Sequence, residues 1–141
     1  MTEDQLLSGV VLAHSQQHPQ KRGQLFHPAN ERNHALQAMQ AKAKGIYKGV
    51  SDLIYFEING LDLRSTIFIG VELKVVGSRH ERHTVEAQVE WGETLEGQGG
   101  HWRLCTNKED ALACFEFDFK GFTTKEVRAI LAVQKTKTIK F

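Results

Sequence analysis

Three ionisable side chains stand at spacings that would let them share one cation-binding patch. Glu72 and Lys74 are separated by one residue in the stretch VELKVVG, residues 71–77, which is typical of a β-strand. Because successive side chains of a strand point to opposite faces, Glu72 and Lys74 share a face. Asp52 begins another predicted strand, SDLIYFEI over 51–58. Two close carboxylates repel each other, and a divalent cation with oxygen ligands relieves that repulsion.

The register between these two strands decides whether the patch forms. Asn59-Gly60 is a typical tight-hairpin dipeptide, and a two-residue turn there would place Asp52 opposite Ile67. A longer connection centred on Asp62 would instead place Asp52 opposite Glu72. We expect the longer connection, because that register brings both carboxylates and the lysine together. The alternative is a half-exposed strand that carries a surface ion pair.

The order of predicted elements indicates one α/β domain. The chain has 141 residues, of which 40% are hydrophobic and 25% charged, and this fits a single domain with one core. Strands are expected near 24–27, 51–58, 67–76 and 101–106, and helices over 3–17, 31–44, 84–96, from Asn107 onward and over 123–134. The elements predict a central mixed β-sheet flanked by α-helices. We assign one domain over 1–141, with its core at about 24–115 and a C-terminal helix and basic tail over 116–141.

Composition argues against a membrane or secreted protein. No apolar run is long enough to span a bilayer, and the acidic start MTEDQLLSGV lacks the basic segment of a signal peptide. Cys105 and Cys114 do not have metal-binding spacing. They are typical of reduced thiols, which predicts a cytoplasmic protein.

Positive charge is concentrated in two segments although the net charge is only +1. A basic loop, GSRHERH over 77–83, follows the strand of Lys74, and a basic tail, KTKTIKF over 135–141, ends the chain. Either segment alone is most simply a solvated surface. Together they predict contact with an anionic partner.

The motifs, taken in order, resemble the PD-(D/E)XK nuclease superfamily and, within it, the VRR-NUC group, especially small stand-alone phage-type members. The resemblance rests on KGVSDLIYF, GVELKV, EAQVEWGETLEGQGG and HWRLCTNKEDAL, in that order, and covers about residues 5–115. Upstream, LFHPANERN is similar to a segment that precedes the first core helix of the family. Ser51 stands where the family often has proline. The resemblance implies a restriction-endonuclease-like core.

The resemblance also implies site residues. Asp52 and Glu72 would bind Mg²⁺ or Mn²⁺, together with a backbone carbonyl such as that of Leu73. Lys74 would be the catalytic lysine, and Gln88 would orient the site. Glu31 is a further candidate ligand, although an acidic residue at a helix N-terminus needs no metal to explain it.

The activity so implied is metal-dependent hydrolysis of DNA phosphodiester bonds. The phage-type members imply a homodimer that acts on branched DNA such as Holliday junctions, in the host cytoplasm if the protein is phage-encoded. Two alternatives stay open: a nuclease acting on linear duplex or DNA ends, and a catalytically silent DNA-binding module. Backbone contacts are expected from a set of basic residues: Lys48, Arg79, His80, Arg82 and His83. The aromatic stretch FEFDFKGF, residues 115–122, is a candidate dimer contact.

Overall fold

The computed structural model of the chain describes residues 1–28, 48–57 and 66–141. In chain order the elements are α1 (Glu3–Gln17), a 3-10 turn (Pro19–Lys21), β1 (Leu25–Phe26), β2 (Leu53–Glu57), β3 (Ile67–Leu73), β4 (His80–Glu81), α2 (Arg82–Gly97), β5 (His101–Cys105), α3 (Lys108–Phe115), α4 (Thr124–Val133) and β6 (Thr138–Ile139). The predicted helix over 31–44, including Glu31, and the connection around Asp62 lie outside the described residues. None of the described helices is long and apolar enough to cross a membrane.

A mixed four-stranded sheet forms the centre of the fold, as the sequence predicts. Its strands lie in the order β1-β2-β3-β5. The first two pairings are antiparallel, whereas β3 and β5 run parallel and are connected through α2. A second, two-stranded sheet joins β4 to β6, and the sequence did not predict it.

Side-chain caps explain where three of the helices begin. Thr2 and Gln5 form a capping box at α1, and Thr123 forms another with Glu126 at α4. The Asn107 side chain accepts a hydrogen bond from the third residue of α3, and the helix begins directly after it, where the sequence predicts a helix.

The predicted start of α2 at Thr84 is wrong. The helix begins at Arg82, and its N-cap is Glu81, whose side chain makes no capping hydrogen bond. The Arg82 backbone N–H donates to the Lys137 carbonyl at 2.8 Å. Pairing with the C-terminal tail therefore fixes the first residues of α2, a long-range contact that local sequence cannot show.

Helices cover both faces of the central sheet. On one face, α1 and α3 contribute to a buried cluster with the sheet residues Leu53, Tyr55, Ile69, Val71 and Leu73. On the other face, α2 and α4 pack over Trp102 and Leu104 in a second buried cluster. A half-exposed strand with a surface ion pair is therefore ruled out for β3, since Glu72 and Lys74 are both buried.

The aromatic stretch over 115–122 does not form the exposed contact surface that we expected. Phe115 lies in the first buried cluster with 1% exposure, and Phe119 stacks on His101 with ring centroids 4.4 Å apart. Phe122 packs against Phe141, and Phe117 is exposed. The chain thus buries most of this apolar surface within itself.

Candidate active site

The pairing of β2 with β3 brings the two predicted carboxylates together. Leu53 pairs with Val71, and continuing this antiparallel register by one residue places Asp52 opposite Glu72. The Asp52 Oδ2 atom accepts a hydrogen bond of 2.8 Å from the Leu73 backbone N–H. The predicted register of Asp52 opposite Glu72 is confirmed, and the alternative register of Asp52 opposite Ile67 is excluded.

Glu72 lies at the centre of the candidate site. Its side chain is 1% exposed, and its Oε1 atom accepts a hydrogen bond of 2.7 Å from Gln88 Nε2. The Lys74 Nζ atom lies 3.4 Å from the same oxygen. In the part of the chain that the structure describes, Glu72 Oε2 is buried without a hydrogen-bond partner, and so is Gln88 Oε1. Buried polar atoms rarely remain unpaired, so these oxygens are suited to a ligand.

The electrostatics of the cluster favour a cation. Burial raises the pKa of the Glu72 carboxyl well above its ordinary value of 4.5, and the negative charge of Asp52 raises this pKa further. The Lys74 ammonium opposes both effects. When both carboxyl groups are ionised, the side chains of Asp52, Glu72 and Lys74 together carry one net negative charge, which a divalent cation would balance.

Two glycines allow the segment before β2 to approach its neighbours. Gly49 has a φ of +89°, and a Cβ atom there would lie 2.4 Å from the Ala87 carbonyl oxygen of α2. A Cβ atom on Gly70 would lie 2.7 Å from the Ser51 Oγ atom. Only glycine fits such close approaches. The segment that carries Asp52 can therefore pack directly against the turn of α2 that carries Gln88.

The first helix contributes an acidic residue that sequence reasoning missed. The Glu3 Oε1 atom lies 3.8 Å from Lys74 Nζ and 3.4 Å from His80 Nδ1. In the sequence, Glu3 resembles any acidic residue of a first helical turn. Nothing in the local sequence indicates that this turn packs beside the end of β3. A second missed contact is the hydrogen bond that His27 donates to the Asp52 carbonyl.

The residues expected to contact DNA divide into two groups. Lys48, Arg79 and His83 are exposed, as a backbone contact requires. His80 and Arg82 turn inward instead. The His80 side chain is 10% exposed, and burial together with the charge of Lys74 lowers its pKa.

Arg82 stabilises the end of α4. Its guanidinium donates to the Gln134 and Leu131 carbonyls and pairs with Glu86 at 2.8 Å. These bonds satisfy carbonyl groups that the C-terminus of a helix leaves unpaired. The expected phosphate contacts of His80 and Arg82 stay predictions, and both side chains also have partners inside the protein.

The donor set fits a hard divalent cation held by few protein ligands. Within residues 1–28, 48–57 and 66–141, no group of three or more histidine, cysteine or acidic side chains is placed to hold a metal. Mg²⁺ is usually bound through one or two carboxylates, with water and phosphate oxygens completing its coordination. Asp52 and the unpaired Oε2 atom of Glu72 match that requirement.

Comparison with known proteins bears on the fold. No model of a known protein family matches the sequence, and no curated protein matches it. Among solved structures, a VRR_NUC domain protein superposes with a TM-score of 0.61 at 20% sequence identity. The match covers 87% of this chain and 96% of that protein. The chain therefore has the α/β fold of a VRR_NUC domain protein, with a mixed four-stranded sheet between helices.

Proposed function

We propose that this protein is a Mg²⁺- or Mn²⁺-dependent endonuclease that hydrolyses phosphodiester bonds in DNA. The observation that carries the proposal is the buried Glu72 carboxylate, which has Gln88 and Lys74 on one oxygen and no partner among the described residues on the other. The fold shared with a VRR_NUC domain protein agrees with this activity.

Asp52 and Glu72 are the side chains that would hold the cation, with the Leu73 carbonyl as a further ligand. A divalent cation there would neutralise charge on the scissile phosphate and make water a better nucleophile near neutral pH. Gln88 restrains the carboxylate through Oε1, which leaves Oε2 available for ligation. Such a hydrogen bond fixes the direction of a ligand.

Lys74 supplies the positive charge that the reaction needs. Its ammonium lies on the Glu72 side of the cluster with a side chain that is 5% exposed. A buried cation at this place stabilises the negative charge that develops on the phosphate oxygens as water attacks. The reaction adds water across one P–O bond and yields a phosphate monoester and a hydroxyl group.

Branched DNA and a homodimer are the finer parts of the proposal. Each chain carries one candidate site and would cut one strand, so a symmetric dimer would cut two. The resemblance of the sequence to stand-alone phage-type nucleases supports a junction substrate.

A cleavage panel tests the activity and the substrate together. Labelled Holliday junction, flap, linear duplex and single-stranded DNA are incubated with the protein in EDTA, and again after Mg²⁺ or Mn²⁺ is restored. We expect metal-dependent nicking that favours the junction. Equal cleavage of linear duplex would reject the branched substrate, and DNA binding without cleavage in either metal would reject the nuclease.

The variant Lys74→Ala tests the assignment within the site. We expect cleavage to fall by at least about 100-fold, because an aligned charge on the transition state is lost, while junction binding is largely retained. Lys120→Ala is the matched control, since Lys120 is exposed and pairs with Asp118 away from the cluster. Retained cleavage in a folded Lys74→Ala protein would remove this lysine from the mechanism.

A further inference from the structure

The basic loop and the basic tail, which are far apart in sequence, meet in the small sheet. His80 pairs with Ile139 and Glu81 pairs with Thr138 in the antiparallel β4–β6 ladder. The Arg82 N–H donates to the Lys137 carbonyl, which continues the same register. The two segments therefore present one surface.

Alternation along these strands determines which side chains face outward. Ile139 is fully buried and the His80 side chain is 10% exposed, so this pair faces inward. Their neighbours Arg79 and Lys140 are exposed. Continuing the register by one residue places Arg79 opposite Lys140. Like charges directly opposite each other destabilise a strand pair, so this pair favours an anion between or above the two side chains.

The Gln134 side chain holds the C-terminal tail in a closed loop. The Gln134 side chain bonds both backbone groups of Lys140, accepting from its N–H at 2.9 Å and donating to its carbonyl at 2.8 Å. The chain from Gln134 to Lys140 therefore closes a loop that includes β6, and Lys135 and Lys137, which precede that strand, are also exposed.

Among the described residues, ion pairs do not occupy the basic side chains of this surface. Within the described part of the chain, none of Arg79, Lys135, Lys137 and Lys140 forms an ion pair with a carboxylate. The acidic residues of the neighbouring segment already have partners. Glu81 lies 3.1 Å from His83, a contact that offsets the charge of Glu81 only when the imidazole is protonated, and Glu86 pairs with Arg82.

The surface adjoins the candidate active site. The loop that carries Arg79 leaves β3 directly after Lys74, and Glu3 contacts both Lys74 and His80. We propose that Arg79, Lys135, Lys137 and Lys140 form a phosphate-binding surface that holds the DNA backbone beside the site of cleavage. The inference rests on the proposed function and assigns the C-terminal tail to it. Lysine contacts to phosphate would set position and affinity without reading base sequence.

Salt dependence of DNA binding tests the surface. The triple variant Lys135→Gln, Lys137→Gln and Lys140→Gln is compared with the wild type by fluorescence anisotropy of labelled junction DNA in EDTA. Each lost phosphate contact should reduce the slope of log K against log salt concentration by about 0.9, so we expect a reduction of up to about 2.7. The control replaces Lys108, Lys120 and Lys125 by glutamine, which removes the same charge from other exposed positions.

The outcomes separate this inference from the proposed function. A shallower slope in the tail variant alone supports the surface, and equal slopes in both triple variants overturn it. If the tail variant shows the shallower slope but the wild type cuts no DNA, the nuclease is rejected and the surface is kept. If the wild type cuts DNA but the tail variant keeps the wild-type slope of log K against log salt concentration, the nuclease is kept and the surface is rejected. If the wild type does not bind DNA, both are rejected. If the triple variant does not fold, Lys140→Gln alone tests the surface, and it should reduce the slope of log K against log salt concentration by about 0.9.

Discussion

Replacing Glu72 by glutamine should change how the stability of the metal-free protein depends on pH. Burial and the charge of Asp52 raise the pKa of Glu72 above 4.5 in the folded protein. Glutamine keeps the shape and the acceptor oxygen that Gln88 uses, but it carries no titrating proton. The variant Glu72→Gln therefore removes the titration of this group while it keeps the packing of the side chain.

The sign follows from proton binding. Between pH 4.5 and the raised pKa, the folded protein holds a proton that the unfolded chain has released. Stability from this group is fully present below pH 4.5 and is lost as the pH rises through the folded pKa. One proton gives a slope of at most about 1.4 kcal/mol per pH unit in that interval.

The geometry explains why burial decides the direction. At 3.4 Å the attraction between Lys74 and Glu72 is about 5 kcal/mol for an effective dielectric constant of 20. The repulsion from Asp52 opposes that attraction. Desolvation of a fully buried carboxylate costs several kcal/mol more, so the pKa of Glu72 is raised in spite of Lys74.

Urea denaturation in EDTA from pH 5 to 8 measures the effect. We expect the free energy of unfolding of the wild type to fall with pH relative to that of Glu72→Gln. Glu90→Gln, which removes an exposed carboxylate from α2, should follow the wild type. The variant also leaves Lys74 with fewer partners, which lowers the free energy of unfolding by a constant amount. Comparing the slopes of the free energy of unfolding against pH removes that constant. Parallel curves for Glu72→Gln and the wild type would refute the reasoning.

The remaining predictions concern the residues around the cluster. Gly49→Ala should destabilise the protein and reduce cleavage, because its Cβ atom would lie 2.4 Å from a carbonyl oxygen of α2. Gly23→Ala has a similar φ with no atom within 4 Å, and urea denaturation should show only the backbone cost of about 1–2 kcal/mol there; equal losses would contradict a steric role for Gly49. Glu3→Gln should lower kcat several-fold with KM unchanged, because the carboxylate helps to place Lys74. Asp4→Asn removes the same charge from the same helical turn, and steady-state kinetics in which both variants behave alike would leave Glu3 without a positioning role.

The sequence predicted the part of the site that lies on neighbouring strands. Strand alternation put Glu72 and Lys74 on one face, and the chemical need to pair Asp52 with them selected the correct register over the Asn59-Gly60 turn. Gln88 came from the family resemblance, and the structure places it 2.7 Å from Glu72. These positions could be predicted because strand geometry relates neighbouring residues directly, and because Gln88 occupies a place in a motif order shared with a known family.

Contacts between distant segments were beyond the reach of local patterns. The packing of the α1 N-terminus beside Lys74 joins residues that are far apart in the sequence, so local patterns could not indicate Glu3. The β4–β6 ladder consists of two residues on each side, too short for any periodicity to show. Its formation gives His80 and Arg82 partners inside the protein that the sequence did not indicate.

The energetic cost of the cluster is itself an argument about its purpose. A stabilising buried ion pair would match charges one to one and would satisfy every oxygen. This cluster instead places two carboxylates against one ammonium and leaves Glu72 Oε2 unpaired within the described residues. Gly49 and Gly70 accept close contacts to maintain that arrangement. Strongly perturbed groups held together at a cost to stability are characteristic of functional sites. Because a divalent cation would remove the charge imbalance and occupy the unpaired oxygen, Mg²⁺ should stabilise the wild type more than Glu72→Gln.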